Sequence, residues 1–402
     1  MLTPELLAAL RSPRGSELLA RAAALADDPF AAQRLREAGA APELAAAAVE
    51  QVRLRLRAKA RFPLAEGMWF SGPLLEQASG AVAAEYHARR FSRWERVADL
   101  CCGLGADAAA LAAGARVCGV DRDPLALAIT RANAEALGVG DRVELLPGEL
   151  PGAAPPAPAA WVDPGRREGG RRTRQLEAIS PTLPEVLSLR DRIQSLGIKL
   201  SPATAHEELD ALLGAIPHER EWLSVGGECR ELVVWTGELR EAEEPGTRAA
   251  TLLPAGESLR GVPVPIPEGG AAAPFLLEPD PAVIRSGLVG NLAVRLGTRA
   301  LDPQLAYLVS DRKVESPFAA VYRVGEPEPF SLKSLAARLR QAGAGDVVLK
   351  TRGSAARPEL LRQELRRVLK HGRPDCRPVV FLTRLSGRPV MIWGERFGAG
   401  SS

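Results

Sequence analysis

Val97-Ala98-Asp99-Leu100-Cys101-Cys102-Gly103-Leu104-Gly105-Ala106-Asp107 decides the fold of this chain: an apolar run stops at a carboxylate and then meets two closely spaced glycines. The spacing predicts a buried strand over Arg96 to Leu100 and a helix over Leu104 to Ala113, stopped by Gly114. Gly103 and Gly105 permit a sharp turn and a ligand's approach to the backbone where a Cβ would collide. The same alternation continues downstream. Strands are predicted at Arg116 to Val120, Arg142 to Leu146, Ala159 to Val162 and Ile198 to Leu200. Helices are predicted at Leu125 to Leu137 and Leu183 to Leu196. Trp222 to Val225 and Glu231 to Trp235 flank Gly226-Gly227 as an antiparallel pair. Repeated β-α units imply an α/β fold with a doubly wound, mostly parallel sheet.

A helix opening directly after such a turn presents free N–H groups. Two ligand classes fit there: the pyrophosphate of a dinucleotide and the methionine end of S-adenosylmethionine. The carboxylates favour the second. Asp99 ends the first strand, where it repels a pyrophosphate but accepts hydrogen bonds from an ammonium. Asp121 ends the second strand, placed to accept both hydroxyls of a ribose. Glu149, in Pro147-Gly148-Glu149 after the third strand, is placed to accept an adenine amino group. Asp163-Pro164-Gly165-Arg166-Arg167 follows the fourth strand, where open α/β sheets put substrate-facing residues. Asp163 and Pro164 are the catalytic candidates. Nitrogen methyltransferases often carry a second proline and an aromatic residue here. Gly165 and Arg166 replace them, and Arg166 and Arg167 are candidate phosphate ligands.

Upstream, residues 1–62 are rich in Ala, Leu, Arg and Glu at helical spacing and read as a helical cap. Met68-Trp69-Phe70-Ser71-Gly72-Pro73 leads into a helix carrying Leu75-Glu76-Gln77-Ala78-Ser79. Phe70 and Gln77 are the candidates to close over the methionine end of the cofactor. The catalytic domain is expected over residues 63–245, and the Pro/Gly-rich stretch 246–274 suits a linker or surface excursion. Residues 275–402 form a further region, with an α+β module over about 330–398.

Charge is segregated along the chain. Residues 331–402 hold 15 Lys or Arg and five Asp or Glu, a balance of +10, whereas the whole chain carries +3 and residues 1–330 therefore −7. A basic module on an acidic body implies a polyanionic partner. Lys350, Arg352, Arg362, Arg366 and Lys370 are its candidate contacts, and Arg362, Arg366 and Lys370 recur at helical spacing.

Other chemistries are excluded by what the chain lacks. The four histidines have no metal spacing, so no metal is expected. Five cysteines fit no closed disulfide framework, which reads as free thiols in the cytoplasm. There is no apolar run long enough for a membrane span, and the first residues lack a signal-peptide pattern. No cysteine follows Asp163-Pro164, so covalent thiol catalysis is not expected.

Taken together, these segments resemble bacterial class I S-adenosylmethionine-dependent methyltransferases with a C-terminal THUMP-like domain. The resemblance rests on Phe62-Pro63, the Asp99 to Asp107 loop, Val120-Asp121-Arg122-Asp123-Pro124, Val162-Asp163-Pro164-Gly165-Arg166-Arg167 and Lys199-Leu200-Ser201-Pro202. Beyond the sheet it includes Glu278-Pro279-Asp280-Pro281, Glu315-Ser316-Pro317-Phe318, Pro329-Phe330-Ser331-Leu332-Lys333 and Leu349-Lys350-Thr351-Arg352-Gly353. It implies a Rossmann-like class I methyltransferase sheet with an N-terminal helical cap and a C-terminal α+β THUMP-like module. It also implies S-adenosylmethionine as cofactor and, by analogy with THUMP domains, RNA as partner. An RNA-binding protein with a vestigial methyltransferase fold and a nicotinamide-dependent enzyme are the alternatives.

Overall fold

The computed structural model describes residues 2–166, 179–269, 273–353 and 357–396. The chain divides into two compact units, Met1–Leu223 with Arg230–Pro245, and Ser224–Cys229 with Gly246–Ser402.

Unit one opens with helices α1 (Pro4–Leu10), α2 (Pro13–Ala24), α3 (Ala31–Glu37) and α4 (Pro42–Ala58), followed by α5 (Gly72–Gln77) and α6 (Ala81–Arg90). Thr3 and Ser12 each cap the helix that a proline begins, accepting from the backbone N–H of Leu6 and Gly15. Leu7, Leu10, Leu19, Leu35, Ala48 and Val52 bury their side chains between these helices.

The alternating part comprises β1 (Arg96–Leu100), α7 (Ala106–Ala112), β2 (Arg116–Asp121), α8 (Pro124–Ala136), β3 (Val143–Pro147) and β4 (Ala159–Val162). Then come β5 (Gly165–Arg166), β6 (Ile179–Ser180), α9 (Leu183–Ser188), β7 (Ser195–Leu200), α10 (His206–Leu213), β8 (His218–Val225) and β9 (Glu228–Thr236). The strand order is β3-β2-β1-β4-β7-β9-β8. The strands from β3 to β7 pair in parallel, and β9 runs antiparallel to β7. Because β1 lies between β2 and β4, the connections diverge on its two sides. A crevice opens at its carboxyl end, where such sheets bind ligands.

The helical cap packs on this layer through Leu104, Ile129 and Ala132, which belong to the same buried cluster. Asn133 of α8 ties the parts together. Its Oδ1 accepts from the Trp69 N–H at 2.7 Å, and its Nδ2 donates to the carbonyls of Trp69 and Leu104 at 3.0 and 2.8 Å. One buried amide therefore fixes both the segment before α5 and the glycine turn.

The helix expected over Leu183 to Leu196 is shorter. A Thr182–Glu185 capping box starts α9, a single 3-10 turn covers Leu189–Asp191, and the chain is already strand at Ser195. Ser195 to Ile198 pair with Ala159 to Val162, so the sheet ladder overrides a run that is apolar enough for either state.

Unit two begins with β10 (Arg248–Leu253) and β11 (Glu257–Gly261), an antiparallel hairpin where a linker or surface excursion was expected. Ala249, Ala250 and Thr251 are fully buried but small, so the composition looked like that of a linker. The remaining elements are β12 (Phe275–Pro279), α11 (Pro281–Ser286), α12 (Val289–Leu296), β13 (Arg299–Ala300), β14 (Leu308–Ser310), β15 (Ala319–Val324) and β16 (Glu328–Pro329). They continue with α13 (Leu332–Ala342), β17 (Val348–Thr351), α14 (Pro358–Leu369), β18 (Val379–Leu385) and β19 (Arg388–Arg396). A sheet of order β13-β14-β12-β15-β19-β18-β17 results, with β16 on β19. Leu335, Leu339, Leu365, Val380 and Leu382 seal α13 and α14 against it.

Candidate active site

β1 carries Asp99 to the crevice and ends at Leu100. The backbone then turns through positive φ at Cys101 (65°), Gly103 (57°) and Gly105 (81°) before α7 begins. The two glycines serve different purposes. A Cβ on Gly103 would touch only two atoms, both at 3.9 Å, whereas one on Gly105 would lie 2.7 Å from Thr130 Cγ2. Gly105 thus permits the close packing of α7 on α8 rather than the approach of a ligand.

The pocket beside this turn is lined by Gln77, Asp99, Gly103, Asp121, Glu149 and Asp163, with Cys101, Asp107, Gly165 and Pro181 among the rest of its wall. Six residues selected from the sequence are therefore brought together from five different segments. Asp121 is held at both oxygens: Gly103 N–H donates to Oδ2 and Asp123 N–H to Oδ1, each at 3.0 Å. Burial raises its affinity for protons against those two bonds. Glu149 sits at the mouth, its side chain 72% exposed and 3.3 Å from Arg122.

Asp99 is different. It is 1% exposed, and its Oδ2 has no hydrogen-bond partner among the described residues. Burial raises its pKa well above the carboxylate range, and Asp107, Asp163 and Asp121 push it further. An orphaned buried carboxyl oxygen facing a pocket walled by other carboxylates is a place built for a cationic donor.

Beneath the pocket runs a chain of charged groups that sequence reading missed. Lys199, on β7, donates to Asp163 Oδ2 at 2.7 Å, to Ser79 Oγ at 3.0 Å and to the Gln77 carbonyl at 3.1 Å. Glu231 Oε2 of β9 is 3.9 Å from the same nitrogen. Glu231 Oε1 and Asp107 Oδ1 each lie 2.8 Å from a ring nitrogen of His87, which is 1% exposed and stacked on Trp161. Burial works against a charged imidazole, yet Glu231 and Asp107 outweigh it and raise His87 to about 9. Asp163 moves the other way from most paired acids. Burial raises it to about 6, with Lys199 opposing. One signal for Lys199 was available: it is one of six lysines beside 46 arginines, a choice that selects a compact three-donor cation.

Other expected residues stand elsewhere. Phe70 is fully buried in the core under the helical cap, 5.7 Å from the Phe62 ring, and does not line the pocket. The segment before α5 is held by Asn133, which bonds Trp69, and by Gln51, which accepts from the Phe70 N–H; Leu74, Gln77 and Ala78 line the pocket instead. Pro164 is buried behind Asp163. Arg166 lies on β5, paired with β6, and Arg167 falls outside the described residues. In unit two, Lys350 and Arg352 face Glu278 at 2.7 and 3.8 Å, so their charge is partly neutralised. Arg362, Arg366 and Lys370 are exposed along α14 and its cap.

Proteins from two Mycobacterium tuberculosis strains, each named as an uncharacterized S-adenosylmethionine-dependent methyltransferase, are 33% identical over 335 residues, 83% of this chain and 86% of theirs. The chain belongs to the S-adenosylmethionine-dependent methyltransferases. A family described as THUMP domain-like matches residues 319–396 of this methyltransferase, and a domain of unknown function matches residues 3–58. A crystal structure titled as a methyltransferase from Porphyromonas gingivalis shares the fold. It has a TM-score of 0.72 at 24% identity and covers 89% of this chain and 92% of that one. The pocket fits the cofactor of a methyltransferase: the orphaned Asp99 oxygen suits an ammonium, and the pinned Asp121 carboxylate retains lone pairs for hydroxyls.

Among the described residues no group of His, Cys, Asp and Glu is arranged to hold a metal, and no helix of the methyltransferase is long and apolar enough to cross a membrane.

Proposed function

We propose that this methyltransferase modifies a nitrogen of RNA, either tRNA or rRNA. Bound S-adenosylmethionine supplies a methyl group on a positively charged sulfur, poised for in-line displacement. The protein's own work is then binding and alignment. Asp99 and Gln77 would hold the methionine end, Gly103 and Asp121 the ribose side, and Glu149 the adenine. Asp163 is the proposed catalytic residue. Lys199 occupies its Oδ2, and Oδ1 would serve as the acceptor for the N–H of a nucleobase. That hydrogen bond would orient the nitrogen lone pair toward the methyl group and draw off the proton released after transfer.

The observation that carries the RNA reading is the exposed row Arg362, Arg366 and Lys370 within the THUMP-like module. Three cations at one-turn intervals match phosphate recognition, which positions a nucleic acid without reading its sequence. Arg166 and Arg167, after the proposed acceptor, would add phosphate contacts. The reading puts the enzyme in the cytoplasm, where its five free cysteines stay reduced.

Mass spectrometry of nucleosides from total RNA of a deletion strain and its parent tests the proposal. One methylated nucleoside should vanish in the deletion strain and return on complementation. Label transfer from S-adenosylmethionine to deletion-strain extract should also be lost after ribonuclease treatment. Unchanged nucleosides together with ribonuclease-resistant transfer would move the substrate out of RNA.

A further inference from the structure

We infer that His87 is a positioning residue for methyl transfer: a buried imidazolium, clamped between Asp107 and Glu231, that keeps Lys199 paired with Asp163. The inference rests on the assignment of Asp163 to the acceptor.

Geometry and the charge of both neighbours together set the proton count. Nδ1 is 2.8 Å from Asp107 Oδ1, and Nε2 is 2.8 Å from Glu231 Oε1. A neutral imidazole has one N–H, so its other nitrogen would point a lone pair at an anionic oxygen. Asp107 and Glu231 are both held in their ionised form, so two donors at these distances call for the ring cation. The Trp161 ring, 4.0 Å away and stacked at 24°, covers one face of the imidazole.

The charged groups around His87 come from several elements. Asp107 faces it from α7 and Glu231 from β9. Lys199 approaches Glu231 from β7, Asp163 and Asp99 act through Asp107, and Arg61 acts on Glu231. Both carboxylates touching His87 are held below their ordinary range. Burial opposes this, and His87 is the largest influence lowering them.

This arrangement determines which acid Lys199 serves. Its ammonium has three protons, and three acceptors take them: Asp163, Ser79 and the Gln77 carbonyl. Glu231 waits at 3.9 Å, its charge already met by His87. Without a cation at position 87, Glu231 and Asp107 lose the largest influence that keeps them ionised, and Lys199 already lies 3.9 Å from Glu231. Drawing Lys199 toward Glu231 would strip Asp163 of its donor while leaving it buried. Asp163 would then hold a proton at neutral pH and could no longer accept one from a substrate nitrogen.

The test uses the full-length protein. In histidine-labelled protein, nitrogen NMR should find both His87 ring nitrogens protonated at pH 7.5, the signal being assigned by its loss in His87→Gln. A neutral tautomer in the parent overturns the inference and needs no folded variant. Carbon NMR of labelled aspartate should place the Asp163 titration near 6, assigned with Asp163→Asn. His87→Gln should raise it by about one unit or more, a tenfold change in acid constant. The double variant His87→Gln with Glu231→Gln removes the cation together with its competing acid and should return Asp163 to its parental position. An unmoved titration in His87→Gln, or no return in the double variant, refutes the positioning role. Methyl transfer by Asp163→Asn to deletion-strain extract separates the two claims: parental rates there refute the acceptor assignment alone.

Discussion

Lys199 and Asp163 are lateral neighbours, because β7 and β4 pair in parallel with Ile198 opposite Val162, and the next residue on each strand completes an ion pair of 2.7 Å. The pair stands at the carboxyl end of the sheet, with Asp163 lining the crevice and Lys199 beneath it. Its polarity is unusual: the acid remains easier to protonate than a free aspartate, although a lysine touches it, because burial outweighs the attraction.

Methyl transfer should therefore show an acidic limb near pH 6. Asp163, raised from 3.8 to about 6, is ionised above that value and protonated below it. Transfer rates are expected to fall about tenfold per unit below the limb. Asp163→Asn should abolish transfer while leaving cofactor affinity within a few-fold. Single-turnover rates from pH 5 to 8 check both. A flat profile in the parent, or a surviving limb in the variant, removes Asp163 from the chemistry. The same raised pKa has a stability consequence. The ionised carboxylate is disfavoured in the fold, so this group's contribution declines as pH rises from about 4 through 6.

Cofactor binding should release protons. Burial and its acidic neighbours raise the pKa of Asp99 well above its ordinary value, and an arriving ammonium favours its ionised form. Calorimetry in buffers of different ionisation enthalpy measures the release directly. Asp99→Asn should remove it and weaken binding by about tenfold or more. Equal proton release in both proteins would assign the effect elsewhere.

Asp121→Ala should weaken S-adenosylmethionine binding by roughly 1.5–3 kcal/mol, about ten- to a hundredfold, through loss of charge-assisted bonds. The substitution also frees the N–H groups of Gly103 and Asp123, so the turn itself loosens. Titration of a variant whose melting transition remains cooperative is the measurement. An unchanged dissociation constant would separate Asp121 from the cofactor.

Replacing Arg362, Arg366 and Lys370 with Glu should lower RNA affinity and flatten its dependence on salt, since each phosphate contact releases counterions. Binding by the parent should fall by orders of magnitude between dilute and physiological salt. Cofactor affinity should not change, because the substituted side chains are exposed on α14 and absent from the pocket wall. Titrations at several salt concentrations decide the matter. A triple variant matching the parent throughout would leave these charges with no role in docking.

What the amino-acid sequence determined by itself is local. The strand–glycine turn–helix at 97–113, the β-α alternation after it and helices α13 and α14 follow from periodicity and turn chemistry within a few residues. Asp99, Asp121 and Asp163 were legible for the same reason: each ends a strand, and strand ends in a doubly wound sheet converge on one crevice. Tertiary structure decided the rest. His87 and Glu231 are 144 residues apart, and nothing near either one marks the other. Phe70 has the same local pattern whether it lines a pocket or fills a core, and distant Asn133 and Gln51, which bond Trp69 and Phe70, hold its segment in place. The hairpin at 248–261 was hidden because small residues satisfy both a linker and a tightly buried strand. Patterning reports which face of an element is apolar. Only packing reports what that face meets, and the charges beneath this pocket have their properties because of what they meet.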